Sequence, residues 1–194
     1  VIACEIDKKL IEILKVELKR FVGASFDLIP EDAMEFLVPD RLEACTHGEK
    51  AVMFGNLPYS ISSPLLFRLL DLSKYFSRAY FTLQKEVVDR LAAKPGTEAY
   101  GRLSVSFGFF AHVKKLFDIA PGCFRPRPEV WSSFFEIELN EKRLMSEERE
   151  AFLELVKIAF SERRKQLGGL LMLAYGLKPV QVEDFFMRDG HSPN

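Results

Sequence analysis

The sequence has few cysteines, no long apolar run and no excess of charge of one sign. The three cysteines are widely spaced, and neither they nor the three histidines have metal-ligand spacing, so we predict neither a disulfide framework nor a metal site. No apolar run approaches the roughly 18 residues of a membrane helix, and no secretory signal opens the chain, so we expect a cytoplasmic protein without membrane contact. The net charge of -1 argues against a protein held on nucleic acid mainly by bulk charge.

What is present supports a packed core of alternating strands and helices. Apolar residues make up 48% and charged residues 28% of the chain, which excludes global disorder. Short apolar runs predict strands, and apolar residues three or four apart predict helices between them. This alternation is typical of a doubly wound parallel sheet. The predicted strands are residues 1–7, 26–29, 51–55 and 78–83, and the predicted helices are residues 8–20, 63–72 and 85–93.

The pattern changes in the second half of the chain. An antiparallel pair of strands is predicted to close the sheet, and beyond Asn140 only helices are predicted. We therefore predict an α/β domain over residues 1–140 and a small all-helical domain over residues 141–194. The elements predicted in this half are a helix at 103–110, strands at 112–119 and 130–139, and helices at 146–160, roughly 163–175 and from 179 onwards.

Acidic residues follow the first two predicted strands. Ligands bind outside the carboxyl ends of the strands in an open parallel sheet, which is where Glu5, Asp7 and Asp32 are expected. Glu5 suits hydrogen bonds from ribose hydroxyls, with an ordinary solvated strand end as the alternative. Asp32 could accept a hydrogen bond from an exocyclic amine, or it could cap a short helix. Position alone favours the solvated strand end for Glu5, and it leaves the two alternatives for Asp32 open.

Asn56-Leu57-Pro58-Tyr59 gives a stronger signal at the end of the third strand. Pro58 holds Leu57 extended, so the Leu57 carbonyl can project beyond the sheet without an intramolecular partner. Asn56 adds a side-chain carbonyl, and Tyr59 adds a flat ring with a polar tip. Two acceptors beside an aromatic ring suit a planar base that carries an amino group. The alternative is a capped strand-to-helix turn with a buried tyrosine, and we favour the binding site.

Basic and aromatic residues are concentrated in two later segments, residues 112–127 and residues 161–166. Three prolines stiffen the loop of residues 121–128, called the proline-rich loop below, and are expected to hold Phe124 ready to stack on a base. An ordinary solvated surface is the alternative for both segments. The candidate contacts to phosphates are Lys114, Lys115, Arg125, Arg127, Arg163, Arg164 and Lys165.

Taken together, these motifs resemble one protein family, the rRNA adenine N6-dimethyltransferases. The basic segment near the C-terminus favours the small-subunit, KsgA-type branch over the Erm resistance branch. The resemblance implies a class I methyltransferase fold, with a Rossmann-like α/β sheet followed by a small all-helical domain. The matching segments are residues 1–7, 32–33, 56–67 (NLPYSISSPLLF), 83–87, 121–132 (PGCFRPRPEVWS) and 160–167 (FSERRKQL).

The resemblance also implies a cofactor, a substrate and a partner. The methyl donor would be S-adenosylmethionine, and the acceptors would be two adjacent adenines of small-subunit rRNA in the immature small ribosomal subunit. By the same resemblance Glu5 binds the cofactor ribose, and Ile6 belongs to the same cofactor site. Asp32 contacts the cofactor adenine amine, with Ala33 packed beside the ring. A monomer is expected.

The target base is assigned in the same way. The resemblance implies that Asn56 and the Leu57 carbonyl hold the N6 amine, with Asn56 also bordering the cofactor. Tyr59 and Phe124 would sandwich the base, and Pro58 belongs to the same catalytic motif.

The sequence departs from the family pattern in three places. Ser60 replaces a frequent asparagine, and residues 129–131 (Glu-Val-Trp) replace a more basic and smaller stretch. The family's first strand and its Gly-rich loop, which cradles the methionine part of the cofactor, have no counterpart here. The family's first strand lies between the strands that begin at Val1 and Ala51 in this sequence. The helical domain of the family also continues beyond Asn194, so we expect a sequence truncated at both ends.

Three other functions compete with the leading one. Without the cofactor loop, a non-catalytic rRNA-binding assembly factor remains an alternative. A DNA adenine methyltransferase would share the Asn-x-Pro-Tyr motif. The following residues 61–67 (ISSPLLF) and the proline-rich loop argue against this function. A dinucleotide oxidoreductase would also place an acid at Glu5, but it needs a glycine loop and does not explain residues 56–59.

Overall fold

The structure is a computed structural model, which describes residues 1–20, 26–58, 60–140, 146–162 and 165–188. The chain divides into two compact units, Val1–Phe81 and Thr82–Asn194. Among the described residues, no helix combines the length and the apolar character that a bilayer crossing requires.

The first unit opens with a parallel strand pair. Strand β1 (Ile2–Cys4) pairs with β2 (Asp27–Ile29), with Cys4 opposite Ile29. Helix α1 (Lys8–Glu17) connects them, beginning where the Asp7 carboxylate accepts a hydrogen bond from the Lys9 amide at 2.7 Å. Because the strands are parallel, their carboxyl ends lie at the same edge of the pair.

A second strand–helix–strand segment includes the last residues of the first unit. Strand β3 (Ala51–Asn56) is followed by helix α4 (Ser62–Asp71) and strand β4 (Phe76–Gln84). The Ala51 amide, at the start of β3, donates to the Tyr75 carbonyl just before β4. Near the end of β3, Gly55 lies against Phe81, so β3 and β4 run in the same direction. Two helices, α2 (Ala33–Phe36) and α3 (Pro39–Thr46), precede β3.

The second unit contains an antiparallel strand pair. Helices α5 (Lys85–Leu91) and α6 (Arg102–Phe110) precede strands β5 (Ala111–Ile119) and β6 (Ser132–Leu139). The strands pair from Ala111 opposite Leu139 to Ile119 opposite Ser132, with a register shift between Lys115 and Phe117. The proline-rich loop therefore connects the paired ends of β5 and β6.

Three further helices belong to the second unit: α7 (Ser146–Ala159), α8 (Leu167–Tyr175) and α9 (Pro179–Arg188). The ring of Phe152 in α7 lies 4.3 Å from that of Phe109 in α6. Gly176 ends α8 in the left-handed conformation at φ 65°, which favours glycine. Gly168 of α8 sits close to Val182 of α9, since a Cβ atom at Gly168 would lie 3.2 Å from the Val182 side chain.

These elements confirm the predicted α/β class and correct some of its details. Hydrogen bonding joins the strands into a pair, β1-β2, and a four-stranded sheet of order β3-β4-β6-β5. Sequence analysis did not predict helix α3, and it placed the start of α8 near residue 163, whereas the helix starts at Leu167. Ahead of that helix the Lys165 amide donates to the Glu162 carbonyl at 3.1 Å. The predicted domain boundary near Glu141 lies outside the described residues and stays a prediction.

Candidate functional site

Glu5 lies directly beyond the end of β1. Its amide donates to the Ile29 carbonyl at 3.1 Å, which extends the pairing with β2 by one hydrogen bond. Its carboxylate Oε1 accepts from the Asp7 amide at 2.8 Å. The other carboxylate oxygen receives no hydrogen bond from any described residue. Glu5 is half-buried, so it presents a fixed acceptor at the carboxyl end of β1.

Asp32 follows β2 at the same edge of the strand pair. Its Oδ1 accepts from the Met34 amide at 2.8 Å, so Asp32 caps helix α2. Of the two roles that the sequence allows for Asp32, the structure shows the cap of a short helix. The cap uses only one of the two carboxylate oxygens. The second oxygen accepts no hydrogen bond within the described part of the chain, so the cap leaves one acceptor for a ligand. The parallel register thus brings Glu5 and Asp32 to one edge.

The neighbouring side chains of this edge differ in exposure. Ile6 is exposed, and Ala33 is half-buried in the first turn of α2. Glu31, which sequence analysis did not single out, forms an ion pair with Arg41 of α3. Burial raises the pKa of the Cys4 thiol to about 11, and Glu31 adds to this rise. The thiol is therefore protonated at neutral pH, which disfavours Cys4 as a nucleophile.

The end of β3 carries the strongest predicted motif. Asn56 is the last residue of the strand and is exposed, whereas Leu57 is only 8% exposed. Within the described residues, neither the Asn56 side chain nor the Leu57 carbonyl takes part in a hydrogen bond. Sequence analysis expected the Leu57 carbonyl to lack an intramolecular partner; its role and that of Asn56 as acceptors for a ligand stay predictions.

Packing beneath the motif explains how Leu57 is held. A Cβ atom on Gly55 would lie 3.0 Å from Leu57 Cδ2 and 3.3 Å from the ring of Phe81. Phe81 is fully buried in β4. The Leu57 side chain therefore packs closely over Gly55, and a side chain at position 55 would require it to shift. Gly55 and Phe81 are supporting residues that sequence analysis missed, because their contact joins two strands that are distant in the sequence.

The chain turns into α4 directly after this motif. The Ile61 amide donates to the Pro58 carbonyl at 3.2 Å, and α4 begins at Ser62. Pro64 lies in the first turn of α4, where a missing amide hydrogen removes no helical bond. Tyr59 lies outside the described residues, so its predicted stacking role stays a prediction.

The proline-rich loop begins with a short 3-10 turn, Pro121–Cys123, which the Phe124 amide closes on the Pro121 carbonyl at 3.3 Å. Phe124 is half-buried, and it stacks on no other aromatic ring in the described part of the chain. Arg125 and Arg127 are exposed and form no ion pair with a described residue. These three side chains are therefore accessible for contacts outside the chain.

The remaining predicted basic contacts differ in their surroundings. Lys114 is exposed on β5, and Lys165 pairs with Glu162 at 2.7 Å. Lys115 lies 2.8 Å from Asp89 and 3.5 Å from Asp118, so two carboxylates already neutralise its charge. Arg163 and Arg164 lie outside the described residues.

Lys115 belongs to an ionic cluster of four residues, Lys85, Asp89, Lys115 and Asp118. Lys85 lies 2.7 Å from Asp89 and 3.5 Å from Asp118, so each lysine contacts both carboxylates. The hydrogen bond to Asp89 raises the pKa of Lys85 above its usual range. Burial opposes ionisation of Asp89, but hydrogen bonds from both lysines hold its pKa below the usual value. Sequence analysis did not predict this cluster, because α5 and β5 meet only in the folded chain.

Asp118 connects the cluster to the base of the proline-rich loop. The Ser133 hydroxyl donates to Asp118 Oδ1 at 2.6 Å across the strand pair. This hydrogen bond, more than the charges of the lysines, holds the pKa of Asp118 below its usual range. Ser133 is fully buried, so the hydrogen bond is fixed in the protein.

Comparison with known proteins places these features in a family. A sequence model of the family described as "Ribosomal RNA adenine dimethylase" matches residues 1–183. The chain is 45% identical over 170 residues to the ribosomal RNA small subunit methyltransferase A of Syntrophus aciditrophicus, covering 85% of the chain and 58% of that protein. It is 41% identical over 185 residues to the protein of the same name from Hahella chejuensis, covering 95% of the chain and 66% of that protein. The chain thus spans about three fifths of the length of these curated relatives.

Two solved structures show the same fold. A dimethyladenosine transferase from Plasmodium falciparum superimposes with a TM-score of 0.74 at 24% identity, covering all of this chain and 68% of that one. The 23S rRNA methyltransferase ErmE superimposes with a TM-score of 0.70 at 19% identity, covering all of this chain and 73% of that one. At these identities the superpositions establish the α/β methyltransferase fold.

Proposed function

Because the chain belongs to the ribosomal RNA adenine dimethylase family, we propose that it acts in methyl transfer from S-adenosylmethionine to N6 of two adjacent adenines in small-subunit rRNA. The observation that carries this proposal is the pair of acceptors at the end of β3. Asn56 and the Leu57 carbonyl have no hydrogen-bond partner among the described residues, and packing on Gly55 and Phe81 holds Leu57 in place. Two unsatisfied acceptors, of which the Leu57 carbonyl is held by packing, favour a ligand that carries an amino group.

The two acceptors suit the chemistry of an adenine amine. The N6 lone pair is delocalised into the ring, which makes the nitrogen a poor nucleophile. Hydrogen bonds to Asn56 and the Leu57 carbonyl would bias the nitrogen toward tetrahedral geometry and direct its lone pair away from the ring. This is catalysis by positioning and electrostatics, and it needs no covalent intermediate with the protein.

The strand pair β1-β2 supports the cofactor assignment. Glu5 and Asp32 each keep one carboxylate oxygen without a partner in the described part of the chain, and both stand at the carboxyl end of parallel strands. These acceptors fit ribose hydroxyls and an adenine amine, with Ile6 and Ala33 as apolar neighbours. When bound, S-adenosylmethionine supplies a methyl group on a positively charged sulfur.

The RNA must present an unstacked base to this site. Stacking on Tyr59 and Phe124 would offset the cost of unstacking by about 1–3 kcal/mol per contact. Lys114, Arg125, Arg127, Arg163 and Arg164 would contact phosphates of the rRNA within the immature small subunit, and Lys115 and Lys165 would add to them once freed from their carboxylates. We further propose that the protein acts as a monomer in the cytoplasm.

The names of the relatives favour this function over the non-catalytic alternative. The curated relatives described above are both named as methyltransferases, and their similarity covers 85% and 95% of the chain. An assembly factor without transfer activity would need neither the unpartnered acceptors of β3 nor the carboxylates of β1 and β2.

Asn56→Ala tests the proposal directly. We expect the rate of methyl transfer to an rRNA fragment, measured with radiolabelled cofactor, to fall about 10²–10³-fold, because one of two acceptors is lost. Cofactor binding, measured by calorimetry, should remain largely intact. Asn56→Asp keeps an acceptor at the same place and should retain more activity than Asn56→Ala. Asn140→Ala, outside the motif, serves as the control, and wild-type turnover in Asn56→Ala would rule out the role of the acceptors.

A further inference from the structure

The second unit contains a pocket that the proposed function does not use. Its volume is about 1050 Å³, and it is formed by the start of α5, the segment leading into α6 and the residues just before β6. This volume is at the upper end of the range of about 300–1,000 Å³ that is typical of small-molecule sites. The pocket therefore has room for a ligand the size of a nucleotide.

Trp131 presents an aromatic surface to this pocket. It is the chain's single tryptophan, and it is 51% exposed. The Trp131 carbonyl accepts from the Lys85 amide at 2.9 Å, and the next residue, Ser132, is buried at the start of β6. The backbone on both sides of the ring is thus fixed, while half of the side-chain surface stays open to a ligand.

Two more aromatic rings line the same pocket. Tyr100 and Phe160 pack edge to face, with ring centroids 6.0 Å apart at 71°. Flat aromatic walls are the surfaces on which proteins stack unpaired nucleobases. The pocket therefore favours a planar ligand over an aliphatic one.

Two arginines supply positive charge to the lining. Arg90 and Arg102 are exposed, and neither forms an ion pair with a described residue. The Ser104 hydroxyl donates to the Arg90 carbonyl at 2.6 Å and accepts from the Gly101 amide at 3.1 Å. These bonds join the end of α5 to the start of α6, so the backbone that carries both arginines is held in place.

The other charges of the pocket limit how much negative charge it can accept. Lys85 and Asp89 neutralise each other within the ionic cluster. Two further carboxylates, Glu86 and Glu129, equal the two arginines in number. A polyphosphate would be repelled by these carboxylates, whereas a single phosphate beside two guanidinium groups is compatible with them.

We propose that this pocket binds one unstacked nucleotide of the RNA substrate, with the base against Trp131 and its phosphate at Arg90 and Arg102. This inference rests on the proposed function for the presence of RNA, and it adds a second nucleotide site to the one at the end of β3. Trp131 belongs to the segment that departs from the family pattern, so this contact would distinguish the chain's RNA preference from that of its relatives.

Fluorescence of the single tryptophan provides the first test. The protein is titrated with a short single-stranded RNA that contains adenines, and tryptophan emission is recorded. Stacking of a base on Trp131 predicts a saturable quench whose midpoint matches the dissociation constant from anisotropy of the same RNA carrying a fluorescent label. Tyr175→Ala removes another exposed aromatic ring of the second unit and should leave the quench unchanged.

Substitutions provide the second test. Trp131→Ala should weaken RNA binding about five- to 150-fold, the equivalent of losing one base stack, and Trp131→Phe should recover part of the loss. Arg90→Gln and Arg102→Gln should each weaken binding, whereas Arg188→Gln, at an exposed position of α9, should not. Trp131 is exposed, so its replacement leaves the core intact.

The outcomes separate this inference from the proposed function. Two results together would overturn the proposed nucleotide site and leave the proposed function standing. They are an unchanged RNA affinity in Trp131→Ala and an unchanged tryptophan emission of the wild-type protein at saturating RNA. No binding of RNA by the wild-type protein would overturn both. A quench together with loss of affinity in Trp131→Ala would support the pocket.

Discussion

The position of the Leu57 carbonyl oxygen depends on the lack of a side chain at Gly55. The Leu57 side chain turns back over Gly55 and packs beside Phe81, and this packing holds the backbone of Leu57 at the end of β3. Pro58 restricts Leu57 from the other side, since the residue before a proline avoids the helical region. The position of the Leu57 carbonyl is thus supported by the packing of its own buried side chain.

Gly55→Ala should therefore reduce activity more than stability. The added Cβ would lie 3.0 Å from Leu57 Cδ2 and 3.3 Å from the Phe81 ring, so the Leu57 side chain must shift by a few tenths of an ångström, and we expect this shift to disturb the position of the Leu57 carbonyl. We expect methyl transfer to fall about ten- to a hundredfold, and overpacking to cost about 1–3 kcal/mol of unfolding free energy. Rate assays and urea unfolding measure the two effects.

Gly108→Ala is the matched control for this substitution. Gly108 is exposed in α6, where an added Cβ meets no atom within 4 Å. The alanine should be neutral or stabilise the helix by up to about 1 kcal/mol, with unchanged activity. Equal activity in Gly55→Ala and the wild type would show that the position of Leu57 does not limit transfer.

At the scale of elements, the strand pair β5-β6 determines where the proline-rich loop begins and ends. Ile119 lies opposite Ser132, and the Ser133 hydroxyl bonds to Asp118 beside that pair. The ionic cluster then links Asp118 to α5 through Lys85, whose amide also holds the Trp131 carbonyl. The loop that carries Phe124 is therefore anchored at both ends by one connected set of polar contacts.

This anchoring predicts a pH dependence of stability. Hydrogen bonds hold the pKa values of Asp89 and Asp118 below their usual range in the folded state. Their stabilising contribution is therefore complete above the unfolded-state value of about 3.9, and it is lost as the pH falls through the lower folded-state values. Asp118→Asn should lower the melting temperature at pH 7, and the difference from the wild type should shrink as the pH is lowered toward 2.

Thermal unfolding followed by circular dichroism from pH 7 to pH 2 would measure this effect. Asp184→Asn removes an exposed carboxylate of α9 that pairs with no described residue, so its melting temperature should follow the wild type at every pH. A constant difference between Asp118→Asn and the wild type over the whole range would contradict the linkage to ionisation.

The same elements show what can be predicted from sequence and what cannot. Periodicity located β3, α4 and β4 to within two residues, because long apolar patterns dominate their packing. Helix α3 was not predicted because it is short and buries only Leu42, so it shows no periodic apolar pattern. The capping role of Asp32 was left open because a carboxylate before a short helix suits a cap and a ligand equally well.

The candidate site divides in a similar way. Asn56, Leu57 and Pro58 could be identified because they are consecutive and their chemistry is local. The support from Phe81 and the ionic cluster could not, because each depends on side chains that only folding brings together. Lys115 illustrates the consequence, since a lysine in a basic segment is neutralised by Asp89 from another element.

For the whole molecule, near neutrality limits how strongly bulk charge can contribute to RNA binding. The 27 basic and 28 acidic residues leave a net charge of -1, so attraction must come from local groups. Lys114, Arg125 and Arg127 are exposed, and no described residue forms an ion pair with any of them. Lys115 and Lys165, by contrast, are already paired with carboxylates.

This arrangement predicts a shallow salt dependence of RNA affinity. Each phosphate contact to a single strand contributes about -0.7 to the slope of log K against log salt concentration, so three contacts give about -2 and six give about -4. Replacing Arg125 and Arg127 together by glutamine should make the slope shallower by about 1.4. Lys157→Gln removes an exposed charge from α7 and should leave the slope unchanged.

Anisotropy titrations at several salt concentrations measure these slopes, and an unaltered slope in the double variant would place the proline-rich loop away from the phosphates. Because the slope counts phosphate contacts and base stacking does not depend on salt, the same titrations separate the charge of this loop from the aromatic contacts of Phe124 and Trp131.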